Sequence, residues 1–130
     1  MASWSGPVGV DDDSISRHPD VDMAGVYVIS EPSNGSFKAV YVGQGSPIKD
    51  RIDAHGRDSE KNDRLRNLFN NKRSSIRFFY LVEGNAGRRD DFEHTLFNKY
   101  GGFEHLFNDI EPPGDEVSMD FPPELRVPLR

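Results

Sequence analysis

Gly25-Val26-Tyr27-Val28-Ile29 and Ala39-Val40-Tyr41-Val42-Gly43, separated by a polar stretch around Pro32-Ser33-Asn34-Gly35-Ser36, decide how this chain folds. Both apolar runs are β-branched and aromatic, as half-buried strands are. Asn34-Gly35 is a strong hairpin signal, because both residues tolerate a positive φ. The runs therefore read as two strands, over 24–30 and 38–43. Alternation places Val26 and Val28 on one face of the first, with Tyr27 and Ile29 on the other. On the second, Val40 and Val42 oppose Ala39, Tyr41 and Gly43. A register that puts Tyr27 and Tyr41 on one face makes them neighbours.

Downstream, Gly43-Gln44-Gly45-Ser46-Pro47 ends the hairpin, and Ser46 and Pro47 suit the N-cap and first position of a helix. Ile48, Arg51, Ile52 and His55 recur at i, i+3, i+4 and i+7, so they share one face of a helix from about 47 to 55. A cation on that inward stripe needs a reason, and an anionic ligand supplies one. Gly56 stops the helix. Asn62 or Ser59 can cap a second, with Leu65, Leu68 and Phe69 as its buried stripe and Arg64, Arg66, Lys72 and Arg73 around it. Ser75 to Val82 is almost continuously apolar, as in a central strand covered on both faces. Arg88 to Tyr100 predicts a third helix, in which Phe92, Leu96 and Tyr100 repeat at four and Glu93 lies beside the stripe.

The flanks differ in character. Gly6, Pro7, Gly9 and Pro19 interrupt regular structure and Asp11-Asp12-Asp13 repels itself, so residues 1–22 read as a flexible arm. Residues 111–130 read as a Pro-rich acidic tail, extended and able to drape over the core. The folded domain then spans 23–110. One domain is what 130 residues predict. The absence of cysteine excludes disulfides, Cys-based zinc sites and thiol nucleophiles. No apolar run is long enough for a membrane span, and the N-terminus lacks a signal-peptide pattern, so the expected location is the cytoplasm.

Net charge is −6, unevenly spread. Residues 49–89 carry eleven Lys/Arg against six Asp/Glu, while both flanking segments are acidic. Lys49, Arg57, Arg64, Arg66, Lys72 and Arg73 lie in this basic island. A local basic face is what phosphate binding requires, whatever the total.

Singly, each candidate residue has a plain structural explanation. Tyrosines pack in cores, a histidine ends a helix, and Arg51 could pair with Glu60. Jointly, Gly25-Val26-Tyr27, Tyr41-Val42-Gly43, Arg51, His55, Glu93 and Asn108 follow in an order and spacing that resembles the GIY-YIG nuclease domain, over about residues 24–108. That resemblance implies a small α/β (α+β) fold, a three-stranded antiparallel sheet flanked by helices. It implies a metal-dependent DNA endonuclease that hydrolyses phosphodiester bonds with Mg²⁺ or Mn²⁺. Tyr27, Tyr41, Arg51, His55 and Glu93 would be catalytic, with Glu93 the metal ligand. One tyrosine would act as, or support, the general base. Gly25, Gly43 and Asn108 would be motif positions. Where many members carry a lysine after the second motif's glycine, this chain has Gln44.

The residue types fit such chemistry. Arg51 offers a planar fork to two phosphate oxygens. One carboxylate suffices for Mg²⁺, which keeps most of its waters. The expected partner is DNA, duplex or branched, with selectivity from loops, from the basic helix, from a homodimer or from a partner protein. Two alternatives stay open. One is a catalytically weak or inactive nucleic-acid-binding module on the same fold. The other is a protein-interaction domain that uses the acidic tail.

Overall fold

The computed structural model describes residues 3–57 and 59–128. In chain order its elements are β1 (Ser5–Gly9), α1 (Asp12–Ser16), β2 (Gly25–Ser33), β3 (Ser36–Gly45), α2 (Ile48–Ala54), α3 (Asp63–Lys72), β4 (Arg77–Val82), α4 (Ala86–Lys99) and β5 (Leu125–Arg126). The hairpin is longer than its sequence pattern. It closes on a two-residue turn, Asn34 and Gly35, with φ of 50° and 78°, and Ser33 faces Ser36 across it. Two positive φ values in succession match the twist of antiparallel strands.

The expected three-stranded antiparallel sheet is overturned. The sheet has five strands in the order β1-β4-β2-β3-β5, and it is curled. Strands β4, β2 and β3 are its antiparallel centre, but both chain ends add a strand. β1 pairs antiparallel with β4, and β5 pairs parallel with β3 through Phe37–Leu125 and Lys38–Arg126. The physical reason lies in the edges. A three-stranded sheet would leave the backbone groups of β4 and β3 unpaired, and an edge is a template for any extended segment nearby. Gly6, Pro7 and Gly9 interrupt a helix but are compatible with an irregular edge strand, and the β1–β4 register does shift between Ser5 and Val8.

Side chains lock the added segments down. Asp11 caps α1 by accepting from the Ser14 backbone N–H at 3.0 Å, and Asp13 pairs with Arg17. The buried Tyr80 hydroxyl donates to Asp20 Oδ1 at 2.5 Å. Trp4 Nε1 donates to the Asp120 carbonyl at 2.8 Å, tying the two ends of the chain together.

Helices cover both faces of the sheet, giving two apolar clusters. On one face Tyr27, Ile29, Val40, Phe78 and Tyr80 pack against Ile48 and Ile52 of α2 and Leu65, Leu68 and Phe69 of α3. On the other, Val26, Val28, Val42, Phe79 and Leu81 pack against Phe92, Leu96 and Phe97 of α4. Val117, Met119 and Phe121 of the tail lie against this second cluster. Burial of each large side chain contributes roughly 1.5–3 kcal/mol. Among the described residues no helix is long and apolar enough to cross a membrane.

Candidate active site

A β-bulge aims the second tyrosine. Ile29 pairs with Tyr41 but Ser30 pairs with Ala39, which leaves Val40 as an extra residue in β3. Strict alternation would put Val40 and Tyr41 on opposite faces. With the bulge, both pack in the cluster under α2 and α3, while Ala39 and Val42 pack under α4. Bulges re-aim side chains in this way, often beside functional sites. Tyr27 and Tyr41 consequently stack, with ring centroids 6.4 Å apart and planes inclined at 30°.

Tyr27 itself lies opposite Gly43, and the reason for the glycine is steric. A Cβ at position 43 would sit 2.5 Å from the Tyr27 hydroxyl oxygen. Gly43→Ala should push that ring away and destabilise the fold by about 1–3 kcal/mol, as overpacking does. Urea denaturation of the variant checks this, and unchanged stability would refute it. Gly25 is equally confined, against the Leu81 carbonyl and Ile48.

Helix α2 brings in the next two groups. Ile48 and Ile52 anchor it and are buried, and His55 at its C-terminal end is buried as well. Arg51 is exposed but stands beside both phenol hydroxyls. The Tyr27 hydroxyl is 2.5 Å from His55 Nε2, and His55 Nδ1 is 2.5 Å from Glu60 Oε1. The Tyr41 ring meets the imidazole edge-on at 5.1 Å.

Burial governs the ionisation of this group. It pushes the Tyr27 hydroxyl well above its ordinary value, with Tyr41 adding to the rise and Arg51 opposing it. Burial likewise lifts Tyr41 to about 12, again against the pull of Arg51. It drops His55 to about 4, although Glu60 works the other way. Partial burial of Arg51 is outweighed by Tyr27, Tyr41 and Glu60, which hold the guanidinium charged. At neutral pH the site therefore contains two protonated tyrosines, a neutral histidine and a cationic arginine.

Glu93 arrives from α4. It lines a cleft of about 270 Å³ together with Tyr41, Glu60, Asn62, Asn108 and Pro112. Burial raises its carboxyl, Gln44 opposes that, and neighbouring Asp90 adds to it. Gln44 is the organiser here. Its amide nitrogen donates to Glu93 Oε1 at 3.0 Å and to Asp90 Oδ1 at 2.7 Å, while its oxygen accepts from Arg89 Nε at 3.1 Å. The position that departs from the motif is thus a neutral clamp on two carboxylates. Among the described residues no three His, Asp or Glu side chains gather as a metal cage.

Asn108 clasps the edge of β3. It accepts from the Val42 backbone N–H at 3.1 Å and donates to the Val42 carbonyl at 2.8 Å. One amide side chain thus replaces a neighbouring strand beside the stacked tyrosines. Asn62 braces the same segment by donating to the Phe107 carbonyl and capping α3 through the Leu65 N–H.

Of the basic residues, Lys49, Arg57, Arg64, Lys72 and Arg73 are exposed. They lie on or just after α2 and α3, the helices that cover the tyrosine face. Arg64 sits over the Phe107 ring and Arg73 over Phe69. Arg66 is already engaged, by Asp63 at 2.9 Å and the Glu60 carbonyl at 2.8 Å. A larger open groove of about 1440 Å³ runs between the end of α4 and the tail, past Phe103, Met119 and Phe121, and none of the motif side chains lines it.

Sequence spacing did not identify Glu60 as the partner of His55. Glu60 stood only as one possible partner of Arg51, and nothing periodic links positions 55 and 60, because the chain leaves the helix between them. No family model, curated protein or solved structure matches this chain.

Proposed function

We propose that this protein is a metal-dependent DNA endonuclease of the GIY-YIG type, a phosphodiester hydrolase working in the cytoplasm. The observation that supports it is convergence. Tyr27, Tyr41, Arg51 and His55 come together from β2, β3 and α2, and Tyr41 shares a cleft with Glu93 from the opposite layer. Separately these residues have structural explanations, but a buried, hydrogen-bonded histidine and two stacked tyrosines beside exposed Arg51 make a polar group at the edge of the core cluster under α2 and α3.

In this reading Arg51 holds two oxygens of the scissile phosphate through its planar fork. Tyr41, partly exposed at the cleft, contacts the same group. Tyr27 and His55 manage the proton of the attacking water. Glu93 would hold Mg²⁺ or Mn²⁺. A single carboxylate fits, because Mg²⁺ retains several waters and borrows phosphate oxygens, and Gln44 engages only Oε1 of Glu93. The metal, when bound, polarises the phosphate and stabilises the leaving oxygen. Lys49, Arg57, Arg64, Lys72 and Arg73 carry the DNA backbone across α2 and α3. Selectivity for duplex or branched DNA would come from a homodimer or a partner protein.

Nicking of supercoiled plasmid tests this. Wild type should nick with Mg²⁺ or Mn²⁺ and not in EDTA, and Arg51→Ala should lower the rate by about 10²-fold. Full activity of that variant, or none in the wild type, overturns the nuclease. One observation favours a second reading, a binding module without catalysis. Gln44 is uncharged and cannot stabilise a phenolate at either tyrosine as a nearby ammonium would. Salt-sensitive DNA binding without nicking would select that reading.

A further inference from the structure

Glu60 has no place in the motif, yet its side chain closes a continuous line of hydrogen bonds into the site. Its Oε1 is 2.5 Å from His55 Nδ1, and its Oε2 accepts from the Asn62 backbone N–H at 3.3 Å. Both oxygens are acceptors. The side chain is 13% exposed and lines the cleft, whereas the His55 side chain is fully buried. An acceptor-only carboxylate requires Nδ1 to carry a proton. A neutral imidazole with Nδ1–H has a bare Nε2. The Tyr27 hydroxyl, 2.5 Å away, must then donate to it.

We propose that Glu60 is a positioning residue for the cleavage reaction: it fixes the His55 tautomer, so that Nε2 accepts the Tyr27 proton and a lone pair of the Tyr27 oxygen is left for the water's proton. This rests on the nuclease reading above.

The transfer balances without any further reactant. A proton passes from the attacking water to the Tyr27 oxygen as the Tyr27 proton passes to Nε2. The hydroxide so formed bonds to phosphorus, and the bond to the leaving oxygen breaks. That oxygen takes a proton from solvent, and the imidazolium, paired with Glu60, later returns its own to solvent through the cleft. Tyr27 is fully buried and Arg51 is the exposed neighbour of its hydroxyl, so the water would have to be brought in on the Arg51 side, with the phosphate that Arg51 holds. With the other tautomer, Nε2–H would point at Tyr27, and the phenol would have no acceptor for its proton.

Imidazole ¹⁵N shifts of the full-length protein at neutral pH read the tautomer directly, with His55 assigned by comparison with His55→Gln. The wild type should show a protonated Nδ1 and a bare Nε2. Glu60→Gln retains an acceptor oxygen and should keep that signature. Glu60→Leu should lose it, with kcat for nicking down roughly 10²-fold and KM within about twofold, and Glu60→Gln should recover much of the rate. A protonated Nε2 in the wild type, or an unchanged tautomer and kcat in Glu60→Leu, overturns the proposal. If Glu60→Leu does not fold, the wild-type spectrum and the Glu60→Gln rate still decide it. A wild type that shows the expected tautomer but never nicks DNA removes the nuclease function, and the positioning role with it, while the control of the His55 tautomer by Glu60 stands.

Discussion

Exchanging Glu93 for Gln is expected to lower Mg²⁺-supported nicking by about 10³-fold, with the fold and DNA affinity retained. Among the described residues three carboxylates line the cleft: Glu60, Glu93 and Asp109. Glu60 is committed through both oxygens to His55 and Asn62, and Asp109 is exposed. Glu93 is partly buried, and Gln44 holds only one of its oxygens. It is therefore the group best placed to present a fixed negative oxygen to a divalent ion. A glutamine at 93 could still accept from Gln44 through its amide oxygen, so the local clamp survives while the charge is lost. Titration calorimetry with Mn²⁺ separates metal loss from misfolding: the heat of binding should vanish in Glu93→Gln and persist in Asp90→Asn. Wild-type nicking by Glu93→Gln would exclude this carboxylate as the ligand.

Much of this arrangement was legible in the chain because it rests on local rules. Asn34-Gly35 specifies a hairpin whatever surrounds it. Asn62 caps α3 as its position before an apolar stripe predicts. The spacing of Ile48, Arg51, Ile52 and His55 follows from helix geometry alone, and the first, third and fourth are indeed buried. What was not legible is what non-local partners decide. β1 and β5 become strands because β4 and β3 have edges to offer, and neither Gly6-Pro7 nor the prolines of the tail announce that. The bulge at Val40 is a property of the β2–β3 register, invisible in an alternating run. It decides which face Tyr41 takes.

The site divides along the same line. Tyr27, Tyr41, Arg51 and His55 could be singled out by their order in the chain, and the structure brings them together, but the groups that set their ionisation could not. Gln44 reaches α4 across more than forty positions, and Glu60 meets His55 only because the chain turns back after Gly56. A sequence gives the identity of a histidine and says little about whether it is charged. Here burial makes it neutral and Glu60 sets its tautomer, and both follow from tertiary packing.

That neutrality has a thermodynamic consequence. The fold is expected to lose roughly 3 kcal/mol of stability between pH 7 and pH 4 through His55 alone. In the unfolded chain His55 takes up a proton as pH falls through about 6.5, but in the folded protein burial delays uptake until about 4. Between those values the unfolded state binds more protons, so acid favours it. The contribution is fully present above about pH 6.5 and is lost as pH falls toward 4. Glu60 acts in the same direction at lower pH. Burial raises its carboxyl, but the hydrogen bonds from His55 and the Asn62 N–H prevail and hold it below the usual range. Urea denaturation at a series of pH values measures the slope. His55→Gln, which cannot titrate, should start from lower stability at pH 7 yet lose about 3 kcal/mol less on acidification. If both proteins lose the same amount, His55 is not the buried neutral group that the hydrogen-bond line from Glu60 to Tyr27 requires.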